Sequence, residues 1–263
     1  MKKSLLKVIA PLAAASMLLA ACGSDDSTGA DGEIKKLVAG TEATFAPFEY
    51  MDDSGKIIGI DSEIVDAIAE ETGIEIEMKH VGWDPMLEQV KNGEIEMGAS
   101  GITINDKRKK VYDFTEPYYE ANLVMVVKEG SDVKSLADLE GKKVSVQINT
   151  TGHEAAKKAL GETSQDIAAF ENMPVAIMEV INGSTAAAIG DNAVVYEYLK
   201  NNPDAKLTVI EDPAFEKEYY GLMVKKGNKE VLDILNEGLK AIKENGKLDE
   251  IVKKYTGVTQ ELE

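Results

Sequence analysis

The sequence predicts an α/β fold in two similar lobes, each a mostly parallel sheet flanked by helices. Short β-rich runs alternate with helical patterns along the chain, the signature of strands joined by crossover helices. A helix–strand–loop unit also recurs ninety positions apart. Two apolar strand-like runs, LVMVVK at 123–128 and GLMVKK at 221–226, resemble each other and bracket the middle of the chain. Paired hinge strands of this kind permit one lobe to close on the other.

In chain order, Lys2, Lys3 and Lys7 accompany an apolar stretch that ends Leu19-Ala20-Ala21-Cys22. It is too short and alanine-rich for a stable spanning helix and reads as a secretory signal over 1–21 with a lipid-modification site at Cys22. Cys22 is the only cysteine, so no internal disulfide is available. Residues 22–33 are polar and glycine-bearing, a flexible tether to the membrane. Residues 34–39 read as a strand. A helix follows, capped by Asp61, with Ile64, Val65, Ile68 and Ala69 on one face and Gly73 at its end. Ile74, Ile76 and Met78 alternate with charged residues, a strand with one wet face. Asp84-Pro85 then starts a helix that stops at Asn92-Gly93.

The recurring unit runs from Val90-Lys91-Asn92-Gly93 through a short apolar segment to Ser100-Gly101, and from Val180-Ile181-Asn182-Gly183 to Gly190-Asp191. Ser100-Gly101 and Gly190-Asp191 are therefore expected at matching strand carboxyl ends, where open α/β sheets bind ligands. The expected division is 34–124 for the first part of lobe 1, 125–220 for lobe 2, and 221–263 for the return to lobe 1.

Composition narrows the partners. Removing residues 1–21 takes away three lysines and no acid, moving the formal charge from −18 to −21 and leaving 242 residues. Such a chain repels phosphate backbones, and nucleic-acid binding is not expected. His80 and His153 have no metal-ligand spacing, and no phosphate-binding loop or nucleophile elbow occurs. Neither a metal nor a cofactor is expected. Arg108 is the only arginine against 28 lysines. Its rigid fork matches a carboxylate with two parallel hydrogen bonds, which a lysine ammonium cannot do.

Several segments together are similar to one family. TEATFAPFE at 41–49, SGIT leading to Arg108, Asp113-Phe114-Thr115, Thr150-Thr151-Gly152 and Gly190-Asp191 resemble, in order, the polar amino-acid-binding proteins of ABC importers. Val81-Gly82-Trp83-Asp84-Pro85, Ala176-Ile177-Met178-Glu179 and Asp191-Asn192-Ala193 resemble most the members that bind arginine and other basic amino acids. The resemblance spans 34–257 and implies a type II periplasmic-binding-protein-like fold, acting as a monomer that captures a free L-amino acid and passes it to a permease.

It also implies roles by position. Arg108 takes the ligand carboxylate, helped by Thr103 and the Thr151 amide at a helix amino end. Asp191 takes the ammonium, with the Gly101 carbonyl beside it, and Ser100 adjoins this loop. Phe45 and Trp83 sandwich the side chain, Glu42 meets a cationic end, and Gln147 is a polar wall. Asn149 departs from the family, standing where many members carry glycine; side-chain specificity stays open among basic amino acids, glutamine and cystine. A same-fold dehydratase-like lyase is the rival from another class. It needs a general acid in the cleft, a place for which Glu42 is a candidate beside Asp191. A detached sensor lobe is the other.

Overall fold

The computed structural model describes residues 34–260; the signal, Cys22 and the tether lie outside the described residues. Its elements in order are β1 (Lys36–Thr41), β2 (Thr44–Phe45), β3 (Glu49–Met51), β4 (Ile57–Ile58), α1 (Ile60–Thr72), β5 (Glu75–His80), α2 (Trp83–Asn92), β6 (Met97–Gly98), α3 (Asp106–Lys109), β7 (Tyr112–Phe114) and β8 (Tyr119–Lys128). Then come β9 (Val144–Gln147), α4 (Thr151–Leu160), β10 (Ile167–Phe170), α5 (Met173–Asn182), β11 (Ala187–Asp191), α6 (Asn192–Asn201), β12 (Leu207–Ile210), β13 (Lys217–Tyr220), β14 (Met223–Lys225), α7 (Lys229–Glu244) and α8 (Lys247–Thr256).

Two sheets result. One has the order β5-β1-β6-β14-β7, the other β10-β9-β11-β8-β12, with β13 on β8; β2, β3 and β4 form a small separate sheet. Pairing is parallel where a helix intervenes between strands, as in β1 with β5 and β9 with β10, because parallel neighbours need a long crossover. Both sheets are nevertheless mixed. β14 runs antiparallel to β6 and β7, and β8 antiparallel to β11, β12 and β13.

The two similar apolar runs fall in different sheets, as β8 and β14. β8 pairs with β13 over Tyr119 to Asn122, with β11 from Leu123 and with β12 from Met125. A two-stranded ribbon of β8 and β13 thus leads from one sheet into the other.

The repeated unit is carried by α2–β6 and α5–β11. Gly93 and Gly183 close the two helices in the left-handed conformation, and each amide bonds back to two carbonyls of the last turn. β6 and β11 then sit at the middle of their sheets. One reading needs correction. Asp61 does not cap α1: Gly59 holds the cap position without a side-chain bond. Asp61 is instead fully buried and turned inward, accepting from the Gly101 amide at 2.8 Å and from the Tyr118 hydroxyl. These donors satisfy its oxygens, but burial outweighs them and pushes the carboxyl up to about 7.

Helices cover both faces of each sheet. α1 and α7 pack on the first sheet around Ile64, Ile68, Leu235 and Leu239, while α2 covers its other face through Met86 and Val90. In the second sheet Val144, Val146 and Ile189 pack against α4, and Val126 and Ala188 against α5. Between the sheets, Phe45, Phe48, Tyr119 and Tyr220 form an aromatic knot with ring centroids 4.8 to 6.0 Å apart. That knot is the floor beneath the site. Among the described residues no helix is long and apolar enough to cross a membrane.

Candidate functional site

The candidate residues lie at or after strand ends or in the first turns of helices, facing the gap between the sheets. Glu42 follows β1, and Phe45 belongs to β2; Ser100, Gly101 and Thr103 follow β6, and Trp83 opens α2. Arg108 is on α3, a turn fixed by Asn105, whose side chain accepts from the Arg108 amide at 2.8 Å. From the other sheet come Gln147 at the end of β9, Thr151 at the start of α4 and Asp191 at the end of β11. All ten, with Thr150, line one nearly closed cavity of about 10 Å³. Cavities of about 290 and 330 Å³ flank it, one reached past Arg108, Thr150 and Thr151, the other past Glu42 and Trp83.

The guanidinium of Arg108 has carbonyl partners, not carboxylates. Nη1 donates to the Thr103 carbonyl at 2.9 Å and Nη2 to the Asn149 carbonyl at 3.4 Å, with Cζ 5.2 Å from the centre of the Trp83 ring. Burial lowers its pKa, while Glu218 and Asp191 oppose that shift. Its charge is held without an ion pair among the described residues, and a fork with five N–H groups retains donors for an incoming anion. Next to it, the first-turn amides of α4 have no intrahelical acceptor. Thr150 does cap α4, its hydroxyl accepting from the His153 amide at 3.2 Å and donating to the Gln147 carbonyl at 2.8 Å.

Asp191 faces this cationic side from the second sheet. It is 6% exposed. Although at the cap position of α6, its side chain makes no cap bond; it accepts a short hydrogen bond from the Tyr220 hydroxyl. Burial, then Glu218, pushes its carboxyl up to about 7, against the pull of Tyr220 and Arg108.

Glu42 is 4% exposed. Thr44 donates to its Oε1 at 2.6 Å, while Oε2 has no partner among the described residues, and neither has Trp83 Nε1. Burial raises its pKa, and Thr44 and His80 oppose the rise. A buried carboxylate oxygen without a donor costs of order 1–3 kcal/mol; Glu49 Oε2 is unpartnered too, but of the two only Glu42 lines the cavity, where a cationic group could reach it.

The remaining candidates shape the walls. Ser100 accepts from the Glu42 amide at 3.0 Å and donates to buried Glu49 at 2.7 Å. Gly101 has φ +52°, and a Cβ there would meet Phe45 at 2.8 Å, so this turn admits only glycine without displacing the ring. Gln147 donates to the Glu171 carbonyl at 3.1 Å. Asn149 has φ 57°, the left-handed region that glycine and asparagine share. It also donates to Asp84 Oδ1 at 2.9 Å across the gap.

Sequence reasoning missed Glu218 and Tyr220, alternate residues of β13 that hydrogen-bond site residues without lining the cavity themselves. Glu218 accepts from the Thr103 hydroxyl at 2.6 Å and the Thr151 hydroxyl at 2.9 Å, both on Oε2. The Thr103 hydroxyl, expected to serve a ligand carboxylate, therefore gives its proton to Glu218. Only the i, i+2 alternation of Lys-Glu-Tyr-Tyr hinted at this, and it says nothing of which face meets the cleft.

A half-buried guanidinium and a buried acid thus stand on opposite walls of the crevice between the two sheets, an arrangement suited to a small dipolar solute. The chain belongs to the bacterial extracellular solute-binding proteins, family 3, whose model matches residues 37–258, and so acts outside the cytoplasm. It is similar to the arginine-, lysine-, histidine-binding protein ArtJ from Geobacillus stearothermophilus, at 50% identity and a TM-score of 0.84, covering 87% of this chain and 98% of that one. A probable histidine-binding protein of Neisseria gonorrhoeae is 36% identical over 94% of both chains. The arginine-binding extracellular protein ArtP of Bacillus subtilis is 34% identical over 97% of this chain and 98% of its own. These relatives are binding proteins, not enzymes, and the lyase reading falls with them.

Proposed function

We propose that this protein captures a basic L-amino acid, with arginine the best fit, and delivers it to an ABC permease. The names borne by its relatives support the class of ligand. The observation that carries the choice of a cation is the unpartnered Oε2 of Glu42, buried in the cavity beside Trp83. A guanidinium or ammonium between the Phe45 and Trp83 rings completes that carboxylate and gains from the aromatic faces. Arg108 and the first amides of α4 take the α-carboxylate, Asp191 and the Gly101 carbonyl take the α-ammonium, and Gln147 bounds the side chain. Desolvating both ends of a zwitterion is costly unless each meets an opposite charge with further hydrogen bonds, and the two walls supply one charge each.

Docking on the lobe made of 34–124 and 221–263, followed by closure of 125–220 about the β8–β13 ribbon, brings Asp191 and Thr151 to the ligand's far side. Processing before Cys22 and lipidation of its thiol hold the monomer at the outer face of the cell membrane.

Thermal denaturation against the twenty amino acids, ornithine and cystine tests this reading. Arginine, lysine or histidine at a hundred times its dissociation constant adds about 2.7 kcal/mol of stability. Stabilisation by glutamine or cystine with none from the cations overturns the assignment of Glu42.

A further inference from the structure

Glu218 lies behind the pocket wall. It does not line the ligand cavity; it borders a separate cavity of about 650 Å³, which shares Thr103 and Thr151 with the ligand cavity. The two threonines therefore stand as a partition, with Glu218 on one side and the ligand on the other. One carboxylate oxygen takes a hydroxyl hydrogen from each. The threonines come from different sheets, Thr103 from the loop after β6 and Thr151 from the turn after β9. Glu218 itself rides on β13, which joins the ribbon between the sheets through β8, and its neighbour Tyr220 bonds Asp191 from the same face.

A threonine hydroxyl has one proton and two lone pairs. When that proton points at Glu218, the oxygen presents only lone pairs to the pocket. It then attracts an N–H donor and repels a carboxylate.

We propose that Glu218 is a positioning residue for recognition of the α-ammonium. By taking the protons of Thr103 and Thr151, it turns both hydroxyls into acceptors toward the ligand and leaves the α-carboxylate to Arg108 and the α4 amides. The proposal deepens, and rests on, the amino-acid reading above. It also ties polarity to closure, because one oxygen meets both hydroxyls only when the loops of the two sheets are together.

The test measures calorimetric affinity of the full-length protein for L-arginine and for 5-guanidinopentanoate, which lacks the α-ammonium and keeps the rest. Glu218→Met removes the acceptor at similar volume; Glu218→Gln keeps an oxygen for the hydroxyls. The preference of the parent for L-arginine over the des-amino compound is expected to shrink about tenfold or more in Glu218→Met, in line with the loss of a hydrogen bond to a charged group. In Glu218→Gln it is expected to stay within about threefold of the parent, a rescue that follows from the retained acceptor. Should Glu218→Met not fold, Glu218→Ala takes its place in the comparison. Equal weakening toward both compounds, or an unchanged preference, overturns the positioning role while leaving the amino-acid reading intact. A parent that binds no amino acid overturns both.

Discussion

Arg108 shows how one side chain serves two purposes. Its bonds to the Thr103 and Asn149 carbonyls fix the fork across the gap, and its plane rests near Trp83. Lysine offers neither the plane nor the second donor direction, and the sequence set this position apart by its uniqueness together with the motif it closes. Asp191 was legible for a different reason, the small-residue strand end that repeats Ser100-Gly101. What remained hidden was its surroundings. Tyr220 bonds it and Glu218 acts on it through its charge, both from a strand whose facing side no periodicity reveals, and Asp61 left its helix end for an inward role. The raised carboxyl of Asp191 gives a pH prediction. With a pKa of about 7 in the ligand-free protein, the native state holds more protons than the unfolded chain between the ordinary carboxyl value and 7. This group's contribution to stability is thus full below that window and is lost as pH rises through it. Binding works the other way, since an ammonium needs the ionised form. Arginine affinity is expected to fall by up to about tenfold per pH unit below 7, with proton release on binding. Calorimetry in buffers of differing ionisation enthalpy measures this release, and Asp191→Asn is expected to abolish it.

At the scale of elements, the sequence exposed what local chemistry controls. Helix ends were readable because Gly93 and Gly183 adopt a conformation that side chains disfavour, and strand ends followed from them. The pairing of β8 with β13 was not readable, since two similar apolar runs pointed to β14 instead. Hydrophobicity reports burial but not partner. Mixed sheets escaped for the same reason: direction depends on the route of the connection. Elements also meet across the gap, through Asn149 with Asp84 at 2.9 Å and Lys107 with Glu154 at 2.6 Å. The second is an exposed pair worth no more than about 1 kcal/mol. The first joins the start of α2 to the left-handed turn before α4, beside the ligand cavity. Asp84→Ala removes a contact of the closed arrangement without touching the ligand, so it reduces the closed population and with it the apparent affinity. A loss of about twofold to tenfold for arginine is expected, with the thermal midpoint of the ligand-free protein little changed, as a net hydrogen bond of roughly 1 kcal/mol implies. Unaltered affinity shows that this contact does not help hold the lobes shut.

For the molecule as a whole, the architecture places weakly occupied charge at a seam. Arg108, Asp191, Glu42 and Glu218 each lack a full ionic partner among the described residues, and all lie where the sheets face one another. Burying charge without an ionic partner is costly, and for Arg108, Asp191 and Glu42, which line the cavity, a ligand that brings the opposite charges relieves that cost. The strongly acidic surface favours approach of a cationic solute, an effect that weakens as salt shortens the screening length. At the amino end, lipidation at Cys22 predicts membrane-bound protein that incorporates a labelled fatty acid; Cys22→Ser is expected to lose the label and to appear in the medium. Retention of label in that variant rules the assignment out.

The claim on which the rest stands is that Arg108 grips the ligand's α-carboxylate. A binding cycle tests it, titrating the parent and Arg108→Lys with L-arginine and with agmatine, which lacks the carboxylate. The account predicts that the substitution weakens arginine by about 2–5 kcal/mol, as for one member of a buried hydrogen-bonded pair, and leaves agmatine nearly unaffected. Equal losses for both ligands, or no loss for arginine, contradict it.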